Sequence, residues 1–282
     1  MADRTEVLID GLCFAEGPRW HDGKLWFSDM HAHQVMTVDL NGRTETIVEV
    51  AQQPSGLGWL PDGRLLVVSM LDRRLLRLEG TELVEVADLH RLATCHCNDM
   101  VVDASGRAYV GNFGFDLNAP QWEFRHAEVI LVTPDGEARV VADQMSFPNG
   151  SVITPDGKTL IVGESFAARL TAFDIQSDGS LANRRVWAAL EHGTPDGICL
   201  DAENAVWYAS PVSNECVRVA EGGRVLDRIP LSRGGFACML GGPDRRTLFI
   251  CTAADSHPER CAAMRSGRIE TLRVDTPGAG LP

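Results

Sequence analysis

Four short polar clusters in this 282-residue chain could do chemistry: Glu16-Gly17-Pro18, Asn98-Asp99, Asn149-Gly150 and Asp196-Gly197. Carboxylate and amide oxygens are the ligands that hard divalent cations take. A buried carboxylate without a partner is costly. If the fold brings Glu16, Asn98, Asn149 and Asp196 together, a cation among them makes physical sense. A plainer reading stands beside it. Pro195-Asp196-Gly197 looks like the turn sequences Pro61-Asp62-Gly63 and Pro155-Asp156-Gly157, and a polar ring can also hold a column of water. Asp196 is the first choice for a general base acting on water. Asp99 is the second, or else a residue that orients Asn98. No Gly-x-Ser-x-Gly element or Ser-His-Asp order points to an acyl-enzyme. Cys95-His96-Cys97 gathers soft ligands, but no second cluster at zinc-site spacing completes it. It is read as structural or pocket-lining.

The elements that must position these residues recur. Apolar runs begin at Leu25, Leu65, Ala108, Leu160, Val206 and Leu248, separated by 40, 43, 52, 46 and 42 residues. That spacing suits a four-stranded propeller blade of about 40–50 residues. Each run follows a turn signal such as Asp22-Gly23, Asp62-Gly63 or Asp156-Gly157. Two further runs follow each one, so every repeat reads as a four-stranded antiparallel meander. The sixth repeat stops after its third strand, Arg268 to Val274, while Glu6-Val7-Leu8-Ile9 has no blade of its own. The expectation is an all-β, six-bladed propeller over residues 1–282, a single domain, with the ring closed by the N-terminal strand. Closure leaves only short, protected edges. In this phase Glu16, Asn98, Asn149 and Asp196 all enter the first strand of a blade. Asp62 and Asp156 fall between first and second strands.

Composition narrows the partners. With 26 basic and 39 acidic residues the chain carries a formal charge of −13, which disfavours nucleic acid and anionic membranes. No run approaches the roughly 18 apolar residues of a membrane span. The charged start, Met1 to Glu6, lacks the apolar core of a signal peptide. A cytoplasmic location and a small-molecule substrate are expected. Monomer and homodimer both stay open. The eight cysteines then read as reduced thiols, with Cys199, Cys238 and Cys251 buried in apolar strands.

Glu16-Gly17-Pro18, Asn98-Asp99, Phe147-Pro148-Asn149-Gly150 and Thr194-Pro195-Asp196-Gly197, in this order at one blade period, resemble the SMP-30/gluconolactonase (regucalcin-like) family. The likeness covers essentially the whole chain and includes His257-Pro258-Glu259, Gly267-Arg268-Ile269-Glu270 and Pro277-Gly278-Ala279-Gly280. It implies a six-bladed propeller with one divalent ion, calcium or zinc foremost and magnesium or manganese possible, and opening of sugar lactones. By the resemblance Glu16, Asn149 and Asp196 match the metal ligands. Asn98 matches a residue that touches substrate or completes the metal sphere. One departure stands out: His96 occupies a position where many sugar-acid members carry Arg. Losing a guanidinium removes a fixed bidentate donor for hydroxyl-rich or anionic substrates.

The loop from Asn112 to Ala127 is long and holds Phe113, Phe115, Trp122, Phe124 and His126. Loops of this length commonly have a role. It is read as a lid, with Met30, His31, His33 and Phe166 on the same face of the ring. His96, His31, Phe113, Phe115 and Trp122 join Asn98 as expected substrate contacts. The expected function is a metal-dependent hydrolase that opens a lactone or small ester bearing an apolar or aryl group. The alternatives are a related propeller hydrolase for other esters or organophosphates, and a non-catalytic calcium- or ligand-binding propeller.

Overall fold

The computed structural model describes residues 4–280; residues 1–3, which begin the charged N-terminal segment, and 281–282 lie outside the described residues. Six four-stranded antiparallel sheets form the blades. Blade one runs outward from the axis through Ala15–His21, Lys24–Asp29, Gln34–Val38 and Thr44–Glu49. The inner strands of blades two to six are Pro54–Trp59, Cys97–Val102, Pro148–Ile153, Ile198–Leu200 and Gly234–Gly241. Each packs on the inner strand of the next blade, and the sixth packs on the first.

The ring closes as the repeat count requires. Glu6–Leu12 pairs antiparallel with Gly267–Arg273, setting Glu6 opposite Thr271 and Ile9 opposite Ile269. Glu270 reinforces the seam, accepting hydrogen bonds from Thr5 Oγ1 at 2.5 Å and Thr252 Oγ1 at 2.8 Å. Burial follows position within a blade. The second strands Leu65–Ser69, Ala108–Asn112 and Val206–Ser210 are buried throughout, because both faces meet a neighbouring sheet. Outer strands such as Thr44–Glu49 are largely open. Cys199, Cys238 and Cys251 lie in the core as reduced thiols. Among the described residues, no helix is long and apolar enough to cross a membrane.

The turns differ from one another in a way their shared Asp-Gly signal does not show. At Asp22-Gly23 both residues have positive φ, 48° and 76°, the two-residue hairpin geometry. At Asp62-Gly63 only the glycine does, and Gly63 N–H donates to Leu60 O at 2.9 Å to close a three-residue loop. A short helix, Pro258–Met264, lies outside the strand pattern; proline opens it and Arg265 ends it in the left-handed region.

Glu164 ends the second strand of blade four and is fully buried. It accepts from Ser146 N–H at 2.7 Å, Thr171 Oγ1 at 2.5 Å and Arg169 Nε at 2.9 Å, with Arg184 3.3 Å away. Burial pushes its carboxyl up. The hydrogen bonds from Thr171, Ser146 and Arg169, with the Arg169 charge, outweigh that and hold it below the usual range. A depressed carboxyl adds stability above its unfolded pKa of about 4.3 and loses it as pH falls through the folded value. Glu164→Gln should therefore destabilise the fold by about 3 kcal/mol at pH 7. In urea unfolding, the gap between wild type and variant should shrink as pH drops below about 4.

Candidate functional site

The inner strands do not run as straight ladders. Their pairing with the second strands shifts register between Glu16 and Arg19, Pro54 and Leu57, Cys97 and Met100, Pro148 and Ser151, and Gly235 and Ala237. A bulge re-aims side chains, and here it turns the axial residues toward the centre of the ring. Asp196 stands just before the shortest inner strand, Ile198–Leu200. Glycine lets these strands converge. A Cβ on Gly150 would clash with Ile198 N, and one on Gly56 with Met100 N.

Polar side chains at the ends of the second strands of blades one, four and five fix where the inner strand begins. Asp29 accepts from Phe14 N–H at 2.7 Å, Glu164 from Ser146 N–H at 2.7 Å, and Ser210 Oγ from Thr194 N–H at 3.0 Å. These anchors sit two or three residues ahead of Glu16, Asn149 and Asp196. Asn112 does the same for blade three, more loosely, with Cys95 N–H at 3.4 Å. The apolar runs that revealed the repeats end in these residues, but their polar termini carried no visible role in the sequence.

The result is a cavity of about 550 Å³ at one end of the axis, with Glu16, Asn98, Asn149 and Asp196 among its lining. Glu16 Oε2 accepts from the Gly17 N–H at 3.0 Å. The Asn149 amide donates to Ser165 Oγ at 3.3 Å, and Ser165 donates on to Pro195 O at 2.7 Å. Burial, then the Asp196 charge, pushes the Glu16 carboxyl well up; burial also raises Asp196, against the Asn149 amide beside it. The arginine that acts on Glu16, Arg19, is itself bonded to Asp99. Among the described residues no Lys or Arg lines the cavity floor that the two carboxylates share. Among the described residues no three His, Cys, Asp or Glu side chains form a metal-binding group, Cys95-His96-Cys97 included. At the axis the third ligand would be an amide. Two carboxylates and the Asn149 oxygen, its NH2 turned to Ser165, fit a hard divalent cation.

Asn98, His31 and Phe113 also line the cavity. His96, Phe115 and Trp122 do not. His96 lies behind Phe113, with ring centroids 6.4 Å apart, and burial lowers its pKa. Phe115 is buried in an aromatic stack with Trp122, Phe147 and Phe166, and with Trp122 it borders a separate hollow on the outer side of the loop. Asp99 does not line the cavity either. It accepts from Arg19 Nη2 at 2.7 Å and from Met100 N–H at 2.8 Å. Burial raises its carboxyl, against the Arg19 charge. Phe14, Phe147, Thr194 and Phe236 supply wall that the sequence reading did not assign to substrate. A signal for them exists: Phe14, Phe147 and Thr194 each stand two residues before a predicted ligand, the period that returns to one face of a strand.

The sequence profile described as SMP-30/Gluconolactonase/LRE-like region matches residues 14–254. The chain belongs to this family. Within this lactonase family, a regucalcin from Xenopus laevis is 24% identical over 262 residues, covering 90% of this chain and 87% of its own. A 6-deoxy-6-sulfogluconolactonase from Pseudomonas putida is 25% identical over 280 residues, covering 95% and 93%. The solved structure of a regucalcin from Agrobacterium tumefaciens, described as a calcium-binding protein, superposes with a TM-score of 0.81 at 22% identity over 98% of this chain and 95% of its own.

The Arg19–Asp99 pair is almost wholly buried. Removing one member leaves the other charged and unpaired, at a cost of about 3–5 kcal/mol. Asp99→Leu and Arg19→Met should each destabilise to that extent in chemical denaturation. The double variant should be more stable than either single one. Equal additivity of the two losses would show that the pair contributes no mutual stabilisation.

Proposed function

We propose that this chain is a metal-dependent lactonase whose substrate is uncharged and carries an apolar or aryl group. The observation that supports it is the contrast inside one cavity. Glu16, Asp196, Asn149 and Asn98 gather at the floor, while Phe14, Met30, Met70, Phe113, Phe147 and Phe236 form the walls, and among the described residues no Lys or Arg lines either. A relative is named for a sulfonated gluconolactone. Among the described residues no guanidinium or ammonium lines the cavity to pair with a sulfonate.

Glu16, Asn149 and Asp196 would hold the cation. Bound there, it would supply Lewis-acid polarisation of the lactone carbonyl and neutralise charge that develops on the carbonyl oxygen. The chain's own residues do the rest. The aromatic walls orient the ring and exclude bulk water from the floor. Asn98, whose Nδ2 donates to Pro148 O at 3.3 Å and whose Oδ1 accepts from Ser55 Oγ at 3.4 Å, is fixed as a polar contact for the substrate. The Asp196 carboxylate takes the proton of the attacking water. Asp99, tied to Arg19, holds the blade-three strand that presents Asn98.

Activity should disappear on chelation and return when a single divalent ion, calcium or zinc first, is restored. Glu16→Ala with Asp196→Ala should abolish stoichiometric metal in elemental analysis. In the refilled enzyme, an aryl-substituted δ-lactone should exceed both glucono-δ-lactone and its 6-sulfo analogue in kcat/KM by about tenfold or more, the scale of burying one aromatic group. A preference for the hydroxylated or sulfonated lactone would refute the apolar reading.

Asp196→Asn keeps an oxygen ligand of the same shape and removes the base. At saturating metal kcat should fall by roughly 10²-fold or more. Asp99→Asn should cost less. Near-full turnover in Asp196→Asn would remove Asp196 from the role of base.

A further inference from the structure

The mouth of the cavity is not the same all the way round. Blades three, four and five contribute Leu117, Phe166 and Val212, which line the cavity and are also exposed, at 37%, 47% and 77%. Blades one and six contribute His31, Asp255 and Ser256 on the other side. Isolated apolar residues on a surface need no explanation. These three are different, because each continues an apolar cavity wall outward on neighbouring blades.

Each is also held in place. Val212 sits in the turn between Val206–Ser210 and Glu215–Val219, beside Pro211. That turn is braced by a bond from Ser213 Oγ to Ser210 Oγ at 2.7 Å and one from Leu231 N–H to Asn214 O at 2.8 Å. Leu117 lies in the turn closed by Asn118 N–H on Asp116 Oδ1 at 2.9 Å. Phe166 stacks on Phe124 and packs edge-on against Trp122, with its N–H bonded to Ser146 O at 3.2 Å. An apolar ledge with a fixed backbone loses little entropy on binding.

The geometry points to an elongated substrate: a neutral lactone whose ring lies over Glu16, Asn149 and Asp196 and whose alkyl or acyl tail leaves the cavity across Phe166, Leu117 and Val212. This rests on the lactonase reading and adds to it the direction and chemistry of the substituent. The cavity alone accounts for an apolar ring. The outward ledge accounts for a chain longer than the cavity holds. The polar sector at His31, Asp255 and Ser256 is left to solvent or to the hydrolysed head group.

The test uses the metal-filled full chain and a series of δ-lactones whose unbranched side chains grow from methyl to octyl. Each methylene buried on the ledge should raise kcat/KM by about two- to fourfold. The rise should stop once the tail passes Val212. Val212→Asp, on an exposed turn, should lower the ratio of octyl- to methyl-lactone kcat/KM by about tenfold, the worth of two or so methylenes. Leu117→Asp, in a different loop, should do the same and guards against a local fault in either variant. The corresponding alkyl δ-lactams, which are not readily hydrolysed, are titrated by calorimetry against wild type and both variants.

If lactones are hydrolysed but neither kcat/KM nor lactam affinity changes with chain length, the ledge is not a tail site and the lactonase reading stands. If no lactone is hydrolysed but lactam affinity climbs with length and falls in Val212→Asp, the lactonase reading fails and the tail site stands. If the length dependence is absent and sedimentation shows a dimer that Val212→Asp dissociates, the ledge is covered by a second copy and the inference is overturned.

Discussion

Two carboxylates share the axis of this propeller, and among the described residues no Lys or Arg joins them in the cavity. Glu16 and Asp196 come from blades one and five and are brought to one floor by strand ends far apart in sequence. Like charges held close and out of water repel strongly. Such a placement persists only where the surroundings over-determine it. Here they do: inner strands bulge at the axial positions, glycine permits backbone contact between blades, and Asp29, Glu164 and Ser210 clamp the entry to each ligand-bearing strand. The neighbouring Asp99 shows the contrast. The chain gives it Arg19 as a buried partner, and it turns away from the cavity. One axial acid is neutralised internally and two are left open, which separates a structural carboxylate from two available to a ligand.

The division of labour between floor and wall follows from strand geometry. Alternate residues of an extended strand point to one side, so a residue two before each ligand rises along the wall. In blades one and four that residue is phenylalanine, and in blade five it is Thr194. In blade three it is His96, which packs edge-on against Phe113, and the phenylalanine lines the cavity while His96 does not. An arginine at position 96 would have to displace this aromatic contact to reach a substrate. Burial keeps the imidazole pKa low, so the substitution exchanges a permanent charge for an uncharged ring.

Much of this was legible in the residues because propellers repeat. The run beginning at Leu25 and its five counterparts set the blade number, and the orphan strand at Glu6 to Ile9 predicted the closure that the pairing with Gly267–Arg273 displays. The phase of the repeat also separated Asp196 from its look-alikes Asp62 and Asp156. What stayed hidden depends on side-chain direction within irregular backbone. Phe115 and Trp122 share a loop with Phe113, but of these three rings Phe113 lines the cavity; Phe115 packs on Phe147 and Phe166, and Trp122 on Phe115 and Phe166. Composition marks such a loop as aromatic and is silent on which ring faces which way. Asp99 likewise needed its partner to be interpretable, and Arg19 lies 80 positions away in the chain.

The seam in blade six has a kinetic consequence. The bond from Thr5 to Glu270 joins residues 265 positions apart, and the strand at Glu6–Leu12 has no partner in the sheets until Gly267–Arg273 exists. During synthesis the first strand and the growing edge of the last complete blade are both unpaired, and each is a template for another chain. Contacts between remote segments also slow folding, because loop closure precedes its compensation. Until Gly267–Arg273 is made, the chain is thus an open arc with two adhesive ends. Its yield is set by whether those ends find each other before they find a neighbour.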